Sequence, residues 1–177
     1  MDVPSAAPGG LWDLARRLGA LRWVERAMFE VAGGRGASID DPAARVLLAS
    51  HSMHHGWHAD ILRDRLPELR DLDVETLTEA PSTEWATAFE HLASESLTTD
   101  ELLAAWFGGV VPAVVAAYED LAASVDEVAA PSVRRWVRHL LLDEHDDLAA
   151  GRALAEERGA DLIRPSWVPA SLLDAAP

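Results

Sequence analysis

Four histidines lie within eight positions of this chain, and imidazoles grouped in this way can bind a metal ion or relay protons. They are His51, His54, His55 and His58. On a helix that advances about 100° per residue, all four fall within an arc of roughly 100°. The same arc carries apolar side chains, so the imidazoles lie on the face that the helix buries. Because a buried imidazole without a hydrogen bond or a metal is costly, these histidines require partners.

Carboxylates on other predicted helices supply those partners. Glu25 and Glu144 each lie at the centre of an apolar stripe, and Asp147 lies on the rim of the second stripe. Glu119 lies on a segment that is apolar nearly all round, and we predict that it is buried. An ionised carboxylate in an apolar stripe is unfavourable unless it is paired or bound to a metal. Three or four carboxylates with two or more imidazoles are the ligand inventory of a dinuclear metal site with oxygen and nitrogen ligands.

The sequence predicts four long helices and one short helix, and these helices must position the candidate ligands. The long helices are predicted at about 11–32, 42–67, 99–125 and 133–158, and the short helix at about 82–94. We expect the first to end at Gly33-Gly34 and the third to be kinked by Gly108, Gly109 and Pro112. No segment shows the alternation of apolar and polar residues that is typical of a β-strand. The predicted fold is all-α, an antiparallel four-helix bundle over 11–158, with a flexible N-terminus (1–10) and an irregular C-terminal tail (159–177).

Composition excludes several classes of function. The formal net charge is −15 and there is no lysine, which argues against a nucleic-acid partner. There is no cysteine either, so disulfides, thiolate nucleophiles and cysteine-ligated metals are excluded. The N-terminus lacks the pattern of a signal peptide, and no run reaches roughly 18 consecutive apolar residues, so we predict a cytoplasmic protein without a membrane partner.

Taken together, these residues resemble the ferritin-like superfamily. Members with a carboxylate-bridged di-metal centre place Glu on the first helix, Glu-x-x-His on the second, and Glu and Glu-x-x-His on the third and fourth. In this chain Glu25, Glu119 and Glu144 match the glutamates of the first, third and fourth helices, and His54 matches the histidine of the second. The chain departs twice, because His51 stands where the family has Glu and Asp147 stands where the family has His.

The resemblance implies a metal-dependent oxidoreductase of the oxygenase or hydroxylase type, acting on a small organic substrate with dioxygen or peroxide. It implies two iron ions or manganese as the cofactor. The candidate metal ligands are Glu25, His51, His54, His58, Glu119, Glu144 and Asp147. His55 is a spare ligand or a hydrogen-bond partner of one. Tyr118 is the candidate catalytic residue, although plain core packing explains it as well.

Two alternatives remain open at this point. One is a metal-free binding or scaffold protein, in which imidazoles or an arginine such as Arg22 hold Glu25 and Glu144. The other is a mononuclear zinc or nickel enzyme built on the histidine helix, which is similar to the DinB-like bundles with three histidine ligands. In that case Glu25 is dispensable for metal binding. The sequence leaves the substrate, the metal and the oligomeric state open, and a homodimer is one of the options.

Overall fold

The fold was analysed in a computed structural model that describes residues 10–68, 73–125 and 130–173. Within these ranges the chain is all-helical and contains no strand, which confirms the predicted all-α class. The helices are α1 (Leu11–Ser38), α2 (Pro42–Arg63), α3 (Thr83–Ala93), α4 (Thr99–Ser124) and α5 (Pro131–Arg158), with a 3₁₀ turn at Val74–Leu77. The predicted flexible N-terminus up to residue 9 and the last four residues of the predicted tail lie outside the described ranges.

Three helix ends follow directly from signals in the sequence. The Asp41 carboxylate accepts a hydrogen bond from the backbone N–H of Ala44 at 2.8 Å and caps α2. Thr98 caps α4 in a reciprocal capping box with Glu101. At the far end of α5, Gly159 takes a left-handed conformation with φ 65°, as glycine does at helix C-termini. The structure thus confirms the predicted starts of α2 and α4 and the predicted end of α5.

Helix α1 does not end at Gly33-Gly34 as predicted but continues to Ser38. The reason is its close packing along α2. A Cβ atom on Gly33 would lie 3.0 Å from the Ser52 hydroxyl oxygen. In the extra turn, the buried Arg35 guanidinium donates to the backbone carbonyls of Ser94 and Leu97, both at 2.7 Å. These tertiary contacts outweigh the low helix propensity of glycine.

Helix α4 contains a π-helical segment, Trp106–Val110, where the sequence predicted a kink. Gly108 and Gly109 have no side chains there, and the C-terminal segment passes directly over them, since a Cβ on Gly108 would clash with the Leu162 carbonyl. The extra residue in the turn directs Trp106 and Phe107 into the interior, where both are buried. Segments of this kind are often found at functional sites.

The helix pairs that matter for the site run antiparallel. Helix α1 packs along α2, α2 contacts α5, and the second part of α4 packs on α5. Gly151 of α5 makes room for Phe107, because a Cβ atom at this position would overlap its ring. Helix α4 is also long and apolar enough to cross a membrane, but 72% of its most apolar window is buried inside the protein, as is usual for a core helix.

Candidate metal centre

Four titratable side chains from three helices converge in the core and form what we call the Glu2His2 quartet. It consists of Glu25 from α1, His55 and His58 from α2, and Glu144 from α5. Each residue is 0% exposed. One ligand atom from each lies within 4.8 Å of the others. The packing of α2 between α1 and α5 therefore gathers two carboxylates and two imidazoles at one buried point.

The spacing within the quartet suits a four-coordinate metal ion. His58 Nδ1 lies 3.5 Å from Glu25 Oε2 and 3.3 Å from Glu144 Oε1, and His55 Nδ1 lies 3.4 Å from Glu144 Oε1. Metal–ligand bonds of about 2.1 Å in a tetrahedron place neighbouring ligand atoms about 3.4 Å apart. The fourth contact is shorter, because His55 Nδ1 donates a hydrogen bond to Glu25 Oε2 at 2.7 Å. That distance would have to lengthen when a metal binds.

Several atoms of the quartet lack a hydrogen-bond partner. Both carboxylate oxygens of Glu144 are buried and accept no hydrogen bond, although Oε1 faces both imidazoles, and His58 Nδ1 and His55 Nε2 also lack a hydrogen-bond partner. Burying even a neutral polar group without a hydrogen bond costs on the order of 2–7 kcal/mol. An ionised carboxylate without hydrogen bonds or a bound cation costs more. The residues present therefore fit a divalent cation, since it would satisfy the Glu144 oxygen and the His58 nitrogen that face each other.

The quartet strongly perturbs the pKa values of its members. Burial opposes ionisation of Glu25, but the charges of His58 and His55 and the hydrogen bond from His55 outweigh burial and lower its pKa to about 2. For His58, burial is likewise outweighed by Glu25 and Glu144, which raise the pKa to about 11. The pKa of His55 is raised for the same reason. Burial and the charge of Glu25 raise the pKa of Glu144, against the effect of His55.

Two further side chains fix the quartet from outside. The Tyr118 hydroxyl of α4 donates to Glu25 Oε1 at 2.5 Å. Burial, together with the negative charges of Glu25 and Glu144, raises the pKa of Tyr118 well above 10, so that it remains a donor. Asp143 lies 3.2 Å from His58 Nε2 and is 34% exposed. Its carboxylate holds the proton on Nε2 and leaves Nδ1 directed at the two glutamates.

A second carboxylate–imidazole group, which we call the Asp147 cluster, adjoins the quartet at His55 and consists of His51, His54 and Asp147. His54 Nδ1 lies 3.0 Å from both oxygens of Asp147, and His51 Nε2 lies 3.5 Å from Asp147 Oδ1. The Trp106 indole N–H donates to His51 Nδ1 at 3.4 Å. Ligand atoms of His51, His55 and Asp147 also lie within 4.8 Å of one another. Burial and the neighbouring His55 and His54 lower the pKa of His51 to about 3.

The structure brings together some of the sequence-predicted residues and separates others. Glu25, His58 and Glu144 lie in the quartet, with Tyr118 in contact with Glu25. His51, His54 and Asp147 lie in the second cluster, and His54 is 40% exposed. The prediction that Glu119 is buried is wrong. Its side chain is 59% exposed and lies 3.8 Å from His145, because the apolar face of α4 that packs inward is the face of Tyr118.

His55 is the quartet member that the sequence analysis placed only among the spares. Within the arc of four histidines, His54 and His55 occupy opposite edges. The structure shows that the His55 edge faces Glu25 on α1, whereas the His54 edge faces Asp147 on α5. Knowledge of which helix packs on which edge of α2 would have identified His55.

Compared with models of known protein families, with curated proteins and with solved structures, the chain matches none.

Proposed function

We propose that this chain is a metal-dependent helical protein that binds one divalent transition-metal cation through Glu25, His55, His58 and Glu144. The observation that carries the proposal is the convergence of four buried ligand atoms at separations close to a tetrahedral edge. The charges also balance, because the two carboxylates carry −2, the two imidazoles are neutral when they bind a metal, and the cation carries +2. Oxygen and nitrogen ligands of this kind suit iron, manganese or zinc.

Within this proposal, the protein is an oxidoreductase with a ferritin-like antiparallel four-helix architecture and a bound iron or manganese ion. The metal would supply redox chemistry with dioxygen or peroxide. The protein's own residues then have distinct tasks. Tyr118 orients Glu25 through its hydrogen bond, Asp143 orients His58, and the surrounding core excludes water. Because all four ligands are fully buried, reactants of the size of dioxygen suit the site better than a larger organic substrate. Four protein ligands fill a tetrahedron, so such a reactant would need a fifth coordination position on the metal.

A second candidate is a metal-free polar core, and one observation favours it. Glu25 accepts short hydrogen bonds from both His55 and Tyr118, so it is satisfied without a cation. In this case two imidazolium groups neutralise the two glutamates. The unpaired oxygens of Glu144 are what this candidate does not explain.

The test is the metal content of protein that is produced in medium supplemented with iron, manganese or zinc and then desalted. We expect one tightly bound ion per chain in the wild type and none in Glu25→Gln or His55→Ala. His54→Ala is the matched control, since it removes an imidazole from the same helix but outside the quartet, and it should keep the ion. No bound ion under any supplement would overturn the proposal. One zinc ion that survives Glu25→Ala would favour a histidine-based mononuclear site.

The redox assignment is tested separately on the iron(II)-loaded protein. We expect oxygen consumption that the zinc-loaded protein does not show, and a slower rate in Tyr118→Phe at equal iron content. Equal and negligible oxygen consumption by both metal forms would limit the function to metal binding.

A further inference from the structure

We propose that Trp106 prevents His51 from acting as a metal ligand, so that the Asp147 cluster does not take a second cation and the centre stays mononuclear. This inference rests on the proposed function and specifies the stoichiometry of the same centre. It assigns to Trp106 the role of a specificity-determining residue.

The two neighbours of His51 determine which of its ring nitrogens carries the proton. An indole nitrogen is only a donor, so the His51 nitrogen that faces it at 3.4 Å must present its lone pair. In a neutral imidazole the other nitrogen then carries the proton. That nitrogen faces Asp147 Oδ1 at 3.5 Å, and a carboxylate is only an acceptor. Both neighbours therefore select the same tautomer.

A metal ligand must offer a lone pair, and in this tautomer the only lone pair of His51 is already directed at Trp106. A cation beside Asp147 would meet the N–H of His51 instead. The contrast with His58 is direct. There the outer nitrogen faces the Asp143 carboxylate and can keep its proton, so the nitrogen that faces the glutamates is the one that can lose its proton to a cation and bind it.

The π-helical segment holds Trp106 in this position. Phe107, its neighbour, packs edge-on against the His51 ring with centroids 5.2 Å apart and lies over Gly151 of α5. Trp106 is 0% exposed, and its ring also lies 6.0 Å from that of His55. The π segment thus fixes the donor that sets the His51 tautomer.

Asp147 is also satisfied without a cation. Both of its oxygens accept from His54, whereas neither oxygen of Glu144 has a hydrogen bond. The two carboxylates lie one turn apart on α5, but only Asp147 already accepts hydrogen bonds. Only the quartet retains unpaired oxygens that a cation would neutralise.

The experiment measures zinc or cobalt(II) stoichiometry by elemental analysis of desalted protein in three variants. We expect one ion in the wild type, a second and weaker ion in Trp106→Phe, and one ion again in Trp106→Phe combined with His51→Ala. Trp85→Phe is the matched control, because Trp85 is equally buried and its indole donates to the Ser171 carbonyl, away from both clusters. It should bind one ion.

Two results would overturn the inference: two ions in the wild type with one lost in His51→Ala, or a folded Trp106→Phe that still binds one. If Trp106→Phe does not fold, the ¹⁵N chemical shifts of His51 in the metal-free wild type decide, and they must show the proton on the nitrogen that faces Asp147. A wild type without any ion would refute the proposed function instead, and the same shifts would still test the role of Trp106.

Discussion

Glu144 and Asp147 are carboxylates one turn apart on the same helix, and both face histidines of α2, yet they have different surroundings. Asp147 is buried and accepts hydrogen bonds from His54, whose side chain is 40% exposed. Glu144 is fully buried with both oxygens unpaired. The comparison shows that residue types alone do not define a metal site. What distinguishes the two clusters is whether neighbouring donors already occupy the lone pairs.

The histidines differ in the same way. The carboxylates of the quartet raise the pKa of His58 to about 11 despite its burial. Burial and neighbouring imidazoles lower the pKa of His51 to about 3. In the metal-free protein the quartet therefore holds protons that a cation would displace, whereas His51 is neutral.

The largest expected effect comes from exchanging each carboxylate for its amide. Glu144→Gln should weaken metal binding by more than about 100-fold, since even changes outside the ligand set cost about 10- to 100-fold. Asp147→Asn should change the affinity by less than about 10-fold, because it only alters the partner of His51 and His54. Competition with a chromophoric chelator measures both affinities. An equal loss in the two variants would show that the clusters form one dinuclear centre.

A second test compares the pH dependence of stability in metal-free His58→Gln and His51→Gln. The folded-state pKa of His58 is raised, so its stabilisation is complete below about pH 6.5 and is lost as the pH rises towards about 11. The folded-state pKa of His51 is depressed, so wild-type stability falls as the pH drops from about 6.5 towards 3.

His58→Gln should therefore remove a loss of stability on the alkaline side, and His51→Gln should remove one on the acid side. Each difference from wild type should reach on the order of 2 kcal/mol. Urea denaturation in the presence of a chelator, at pH values from 4 to 10, measures these differences. The same pH dependence in both variants would mean that the two clusters titrate as one unit.

The smallest effect is expected at Glu119, which belongs to neither cluster. Glu119→Ala should leave metal stoichiometry unchanged and alter the free energy of unfolding by no more than about 0.5 kcal/mol, as is usual for an exposed side chain. Elemental analysis and urea denaturation are sufficient to check this. Loss of the ion would restore Glu119 as a ligand and contradict its exposed position on α4.

Much of the fold could be predicted from the sequence because its signals are local. The Asp41-Pro42 start of α2 and the Gly159 end of α5 depend on caps that a few neighbouring residues define. The continuation of α1 past Gly33 could not be predicted, since it depends on packing against Ser52 of another helix. Likewise, the π segment depends on the C-terminal residues that pass over Gly108.

The candidate site was predictable to a similar extent. Periodicity identified Glu25 and Glu144, because each lies at the centre of a clear apolar stripe. It was wrong for Glu119, since α4 is apolar nearly all round and offers no stripe to locate. It also gave no means to rank His54 and His55, because they are adjacent in sequence and their roles are decided by the helix that each one faces.

The complete burial of the quartet has a kinetic consequence. Its ligands come from α1, α2 and α5, so the centre is assembled only after α5 has been synthesised. An ion can then enter or leave only when the helices that bury the quartet separate transiently. Exchange should accordingly be slow even where binding is weak, and a chelator would remove the ion at the rate of this opening rather than at a rate set by its own concentration.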